Sequence, residues 1–269
     1  MSDDSIQARN NVSISGRGEQ VLMFAHGFGC DQNMWRALIG ELKNDYRIVA
    51  FDYVGSGKSD LSAFNVSRYA TLDGYACDIT DILDELNLVN VTLVGHSVSA
   101  MIGMLAATRA PERISKLVMV CPSPCYINDL PDYEGGFERD DLEELIDMMD
   151  KNYIGWANYL APLVMGGRAD QSTVEELTSS FCSTDPLVAK TFARATFFSD
   201  YRELMADCQT PTLVLQSRED SLVPVSVGEF VAAKLPHGNL RILNTQGHCI
   251  HMTDPALTNA EIRSFLGAR

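Results

Sequence analysis

An α/β fold, with a mostly parallel twisted sheet and helices on both faces, is what this sequence predicts, and three observations carry that reading. Short apolar runs recur, helical stretches alternate with them, and one interval, residues 126–201, has helical periodicity without a convincing strand. Continuous apolarity in a short run marks a strand covered on both faces, and strands that alternate with helices mark a parallel sheet.

Taken in order, Met1 to Asn10 are polar, without a positive start followed by an apolar stretch, so no signal peptide is expected. Val12–Ser15, before Gly16-Arg17-Gly18, is expected as one arm of an antiparallel hairpin at the sheet edge. Strands are expected at Val21–Ala25, Arg47–Phe51, Val91–Val94, Lys116–Val120, Thr212–Gln216 and Leu240–Leu243. Helices are expected at about Asp31–Lys43, Tyr69–Leu86, Ser97–Arg109, Val225–Leu235 and Pro255–Leu266. The insertion holds an acidic amphipathic stretch (Glu138–Lys151), an aromatic one (Tyr153–Tyr159) and a Phe-rich end at Phe192, Phe197 and Phe198. Asp185-Pro186 and Asp254-Pro255 are expected helix starts, Asp as cap and Pro in the first helical position. Residues 1–125 and 202–269 then form the core, and 126–201 a helical lid over the carboxyl ends of the strands, where such sheets bind ligands.

The formal net charge is −15, from 36 acidic against 21 basic residues, so nucleic acid would meet a repulsive field and is not an expected partner. No apolar run is long enough to span a bilayer, and no membrane partner is expected. Seven scattered cysteines suit reduced thiols and a cytoplasmic location. The Asn-x-Ser/Thr triplets at Asn11, Asn65 and Asn90 are then chance matches.

After Val91–Val94 comes Gly95-His96-Ser97-Val98-Ser99, then a small-residue helix with Ala100, Gly103, Ala106 and Ala107. A sharp strand-to-helix turn needs little bulk two residues either side of its serine, and it lifts the hydroxyl clear at a helix amino terminus. Ser97 is the candidate nucleophile; the alternative is a serine that merely caps the helix. The fifth position is Ser99 where the general elbow has glycine. A serine hydroxyl needs a base, and the base needs a third group to fix its tautomer. Of five histidines, His248 in Gln246-Gly247-His248 stands just beyond the last strand, while His251 reads as packing or surface and His237 as solvated. Beyond Thr212–Gln216 stand two carboxylates; Asp220 is chosen for its short side chain, with Glu219 as rival and surface ion pairing as its expected role. His26-Gly27-Phe28-Gly29 follows a strand, and the N–H groups of Phe28 and Val98 would hold an oxyanion; a plain Gly-rich turn is the alternative.

Gly55-Ser56-Gly57-Lys58-Ser59 is not a phosphate loop, because the motif needs glycine where Asp52 stands. Cys121 and Cys125 lack Cys-x-x-Cys spacing, His248 and His251 lack a carboxylate partner at useful spacing, and Cys249 reads as packing. No metal and no cofactor is expected.

Together the motifs resemble a branch of the α/β-hydrolases: the RsbQ-like proteins, positive regulators of the bacterial sigma-B energy-stress response, with the plant karrikin and strigolactone receptors. The likeness is carried by residues 27–32, 51–57, 72–75, 95–103, 133–137, 152–156 and 181–186, which span nearly the whole chain. The resemblance implies a four-helix lid inserted before the last two strands and a small apolar chamber above the serine. Phe28, Tyr126, Phe137, Trp156, Thr196, Phe197 and Leu222 match positions expected to line it, although each aromatic equally suits ordinary lid packing. It further implies a slow serine carboxylic-ester hydrolase for a small hydrophobic ester or butenolide-like lactone, with a role in stress signalling. The alternative is a non-enzymatic ligand-sensing regulator that binds a partner phosphatase through the lid surface.

Overall fold

The computed structural model describes residues 5–267. The first four and last two residues, which belong to the leader reading and to the outer bounds of the core, lie outside the described residues. The strands are β1 (Ser13–Ser15), β2 (Val21–Ala25), β3 (Arg47–Phe51), β4 (Val91–His96), β5 (Ile114–Val120), β6 (Thr212–Glu219) and β7 (Gly238–Gln246). The helices before the insertion are α1 (Ile6–Arg9), α2 (Arg36–Leu42), α3 (Leu72–Glu85) and α4 (Val98–Arg109). The inserted helices are α5 (Arg139–Lys151), α6 (Tyr153–Met165), α7 (Gln171–Ser183) and α8 (Pro186–Phe197). After them come α9 (Val225–Lys234), α10 (Ile250–Thr253) and α11 (Pro255–Leu266).

The sheet has seven strands in the order β1-β3-β2-β4-β5-β6-β7. Every neighbouring pair is parallel except β1 with β3. The apolar runs become central strands because both faces are covered: every residue of β2 and β4 is buried. The last strand shows the converse, since β7 alternates between buried or half-buried and exposed positions, as an edge with one open face must. Each fully buried Leu93, Leu117 or Leu213 contributes about 1.5–3 kcal/mol from the apolar surface it removes from water.

Three expectations need correction. Val12–Ser15 does not form a hairpin arm with the following strand; β1 pairs antiparallel with β3, Ile14 opposite Val49, so it closes the edge from outside. The stretch 31–43 is split, with a short 3₁₀ turn at Gln32–Trp35 before α2. Asp185 caps α8 as expected, accepting from Leu187 and Val188 N–H; Asp254 and Pro255 do start α11, Asp254 at the cap position, but the Asp254 side chain makes no capping bond and accepts instead from the Thr253 hydroxyl.

Candidate active site

The site is built at the carboxyl edge of the sheet, where β2, β4, β6 and β7 all end on one side. At the end of β4 the chain turns so sharply that Ser97 takes φ 55° and ψ −121°, in a region an L-residue rarely occupies. Gly95 makes the turn possible, because a Cβ there would lie 2.4 Å from the carbonyl oxygen of Ser99. Ser97 N–H donates to Val120 O at 2.8 Å, which ties the turn to β5.

Ser97 Oγ is 2.8 Å from His248 Nε2, and His248 Nδ1 is 2.8 Å from Asp220 Oδ2. The imidazole is 2% exposed and the carboxylate 0%, so the whole relay is dry. Asp220 is held by its own loop: Oδ1 accepts from the N–H groups of Leu222 at 2.9 Å and Val223 at 3.1 Å. With the carboxylate accepting at Nδ1, that nitrogen carries the proton and Nε2 is left to accept from the serine. The backbone of His248 is gripped from two sides, its N–H donating to Val164 O at 2.8 Å and its carbonyl meeting His96 Nε2 at 3.0 Å. Glu219 sits apart from this, on the surface, 3.8 Å from Arg168. His237 is exposed.

His251 is not at the surface but wholly buried, its ring 4.4 Å from those of Trp35 and His96. Burial, with His248 close by, holds it down to about 3, so it stays neutral. Burial likewise keeps His96 well below its ordinary value. Cys249 is buried among these rings, its thiol pushed well up by burial, which suits packing rather than nucleophilic chemistry.

The N–H groups of Phe28 and Val98 have no protein acceptor among the described residues; Val98 directly follows Ser97, and Phe28 lines the same chamber as Ser97. Gly27 lets the Phe28 loop approach, since a Cβ there would lie 2.4 Å from His96 Nδ1. Sequence reasoning missed one contact: the Tyr126 hydroxyl is 3.1 Å from Ser97 Oγ. Burial raises that phenol, so it remains protonated and is the donor to an oxygen whose own proton faces His248.

Above the serine lies a chamber of about 30 Å³ lined in part by Phe28, Tyr126, Thr196, Phe197 and Leu222. That is room for about two water molecules. Phe137 and Trp156 are not in its wall. Phe137 lines an outer groove of about 420 Å³ between α5 and α6, which shares Leu160, Phe197 and Leu222 with the chamber. Trp156 is spent on packing, edge to face with Phe28 at 6.0 Å and stacked on Tyr153 at 5.5 Å. The wall positions not foreseen include Leu160 and Val164, one turn apart on α6. Helical spacing marks them as one face, but only the docking of α6 says what that face covers.

Cys121, Asp220 and His248 each present a potential metal-ligand atom within 4.8 Å of the others. Two of the three, Asp220 Oδ2 and His248 Nδ1, are already bonded to each other, and burial pushes the Cys121 thiol well up, against the thiolate a metal would need. No helix of the described residues is long and apolar enough to cross a membrane.

A mostly parallel sheet with an elbow serine at the end of β4, its fourth strand in order, and an inserted helical roof, defines a hydrolase fold, and comparison with known proteins agrees. The family model for the alpha/beta hydrolase fold matches residues 20–255. The chain therefore belongs to the α/β-hydrolase family, and it is a hydrolase by class. It is 40% identical over 251 residues to a karrikin insensitive 2 receptor of Petunia hybrida, covering 93% of each chain. It is 37% identical over 257 residues to a strigolactone esterase of Arabidopsis thaliana, covering 95% of this chain and 96% of that one. Among solved structures it is similar to a hydrolase from Oleispira antarctica, with 54% identity and a TM-score of 0.96 over 98% of this chain and 97% of that one.

Proposed function

We propose that the protein is a serine esterase or lactonase that cleaves a small hydrophobic ester or butenolide-like lactone through an acyl-enzyme. The observation that carries this is the unbroken line of 2.8 Å contacts from Ser97 Oγ through His248 to Asp220, with the unengaged N–H groups of Val98, next after Ser97, and of Phe28, which lines the same chamber. Ser97 Oγ attacks the carbonyl while His248 Nε2 takes its proton, and the Phe28 and Val98 N–H groups receive the negative charge on the carbonyl oxygen. The imidazolium, steadied by Asp220, then hands that proton to the leaving alkoxide. Water, deprotonated by the same histidine, then bonds to the acyl carbon, and as the ester bond to Ser97 breaks the histidine returns that proton to Ser97 Oγ and the acid leaves. The small chamber favours a short acyl group. Residues 1–125 and 202–269 act as the catalytic core and 126–201 as the lid that selects what enters. Purified protein mixed with p-nitrophenyl acetate should release a stoichiometric burst of nitrophenol and gain the mass of an acetyl group. Both signals should vanish in Ser97→Ala, and a burst that survives there refutes the reading.

A second reading is favoured by the lid surface, where Ile154 (54%), Tyr159 (58%) and Leu187 (57%) are exposed apolar side chains. In it the chain is an RsbQ-like regulator in stress signalling whose lid binds a partner phosphatase, with ligand turnover or binding as the trigger. Such a complex should be captured from stressed host cells and weakened by Ile154→Glu; no phosphatase recovered with either form counts against it.

A further inference from the structure

We propose that Ser99 is a positioning residue that joins the two halves of the oxyanion hole; the inference rests on the reading of Ser97 as nucleophile. Ser99 is fully buried, and its hydroxyl donates to the carbonyl oxygen of His26. That hydrogen is thereby committed to an oxygen that only accepts, so the Tyr53 hydroxyl, 2.9 Å away, is the donor to Ser99 Oγ. The placement along the chain gives the contact its meaning. Ser99 directly follows Val98 at the amino end of α4, and His26 stands two residues before Phe28. One hydrogen bond therefore spans from the segment carrying one oxyanion donor to the segment carrying the other.

The rest of the loop is braced to match. Tyr53 N–H donates to His26 Nε2 at 3.1 Å, which leaves the proton on Nδ1, and Nδ1 donates to Gly27 O at 2.8 Å. Burial keeps His26 below its ordinary value, so this neutral tautomer persists. Tyr53 thus holds both ends of the strut, His26 through its N–H and Ser99 through its hydroxyl. A glycine at position 99, usual in the elbow, has no hydroxyl to offer: the His26 carbonyl would lose its partner and the Phe28 N–H its fixed distance from Val98. The departure from the usual pattern is a functional feature rather than a tolerated substitution.

Losing one oxyanion donor outright costs about 10²–10³ in kcat, so loosening its anchor in Ser99→Ala should cost about 10- to 100-fold in kcat with KM within about twofold. A reversible trifluoromethyl ketone, which forms the tetrahedral adduct on Ser97, should lose affinity by the same factor, because it uses the hole as the transition state does. Tyr53→Phe, which leaves the bond from Ser99 to His26 in place, should lose less than Ser99→Ala on both readouts. A merely structural role would lower thermal stability and leave the ketone's affinity relative to substrate unchanged. Ser99→Ala with wild-type kcat and ketone affinity, or a loss confined to KM, overturns the proposal. If Ser99→Ala does not fold, Ser99→Cys keeps a weak donor in similar volume; a partial loss on both readouts supports the strut, and none overturns it. Loss of the burst in Ser97→Ala alongside an unaffected Ser99→Ala sinks only this inference, whereas a burst in Ser97→Ala sinks the nucleophile reading instead.

Discussion

The carboxyl edge of the sheet and the helical lid solve opposite problems. At the edge, each candidate catalytic group hangs from the end of a parallel strand and is held by bonds that involve the backbone: Ser97 N–H by Val120 O, the Asp220 carboxylate by two N–H groups, and the His248 main chain by Val164 O and the His96 ring. The lid is amphipathic helix packed on apolar side chains, with few polar ties to the core, such as the Ser180 hydroxyl to Gly29 O at 2.8 Å and the Ser221 hydroxyl to Leu163 O at 2.6 Å. Backbone bonds at strand ends fix atoms to within the tolerance that chemistry needs, while apolar packing can be retuned one side chain at a time. Reactivity should therefore respond to substitutions at the edge and selectivity to substitutions in the lid.

The largest effect expected at the edge is in Asp220→Asn, which keeps the shape but can donate to Nδ1 and so favours the wrong imidazole tautomer. Steady-state hydrolysis should show kcat down by about 10⁴-fold with the melting temperature little changed. A loss under tenfold would mean that the carboxylate is not orienting the base.

Next is acid sensitivity beneath the edge. Burial holds His96 and His251 below their ordinary value, so below about pH 6.5 the unfolded chain binds protons that the folded chain refuses. That stabilisation is complete above the unfolded value and is lost as pH falls, at roughly 2 kcal/mol per histidine between pH 7 and 5. Urea unfolding at the two pH values should show it, and His251→Phe, which keeps the ring on Trp35, should shrink the difference by about one histidine's share. An unchanged difference would contradict the buried, neutral assignment.

In the lid, Leu160 is the partition shared by chamber and groove. Leu160→Ala should raise the ratio of kcat/KM for p-nitrophenyl hexanoate over acetate by about tenfold or more, since room for even one further methylene is worth about 1–3 kcal/mol. If the ratio holds and the rate on every ester collapses together, lid and edge are not separable in the way proposed. The smallest effect is Glu219→Gln, which loses an exposed ion pair with Arg168 while its amide oxygen can still accept from Gln246 Nε2, and should change stability by less than about 0.5 kcal/mol and activity by less than about twofold.

Much of this was legible in the residues, and unevenly so. Central strands and flanking helices could be read because their side chains obey local periodicity, with errors of a few residues at their ends. The edge strand β1 could not be assigned its partner, since three exposed residues carry no pattern that says which neighbour they pair with. Ser97, His248 and Asp220 could be picked out by motif and by order along the chain, and the structure places His248 within hydrogen-bond distance of both Ser97 and Asp220. Phe137 and Trp156 went astray because an aromatic in a lid has the same sequence signature whether it faces a cavity, a groove or another ring.

The sequence by itself determined the alternation of strand and helix, the small residues that permit the elbow, and the supply of hydroxyl, carboxylate and imidazole in that order along the chain. These are local facts, set by backbone sterics and side-chain chemistry. Only the tertiary structure decided that the Tyr126 phenol meets the Ser97 oxygen, that Ser99 reaches back to His26, and that the chamber closes to about 30 Å³. Those contacts join segments far apart in the chain, and their distances follow from how whole elements pack, which no short stretch of sequence encodes.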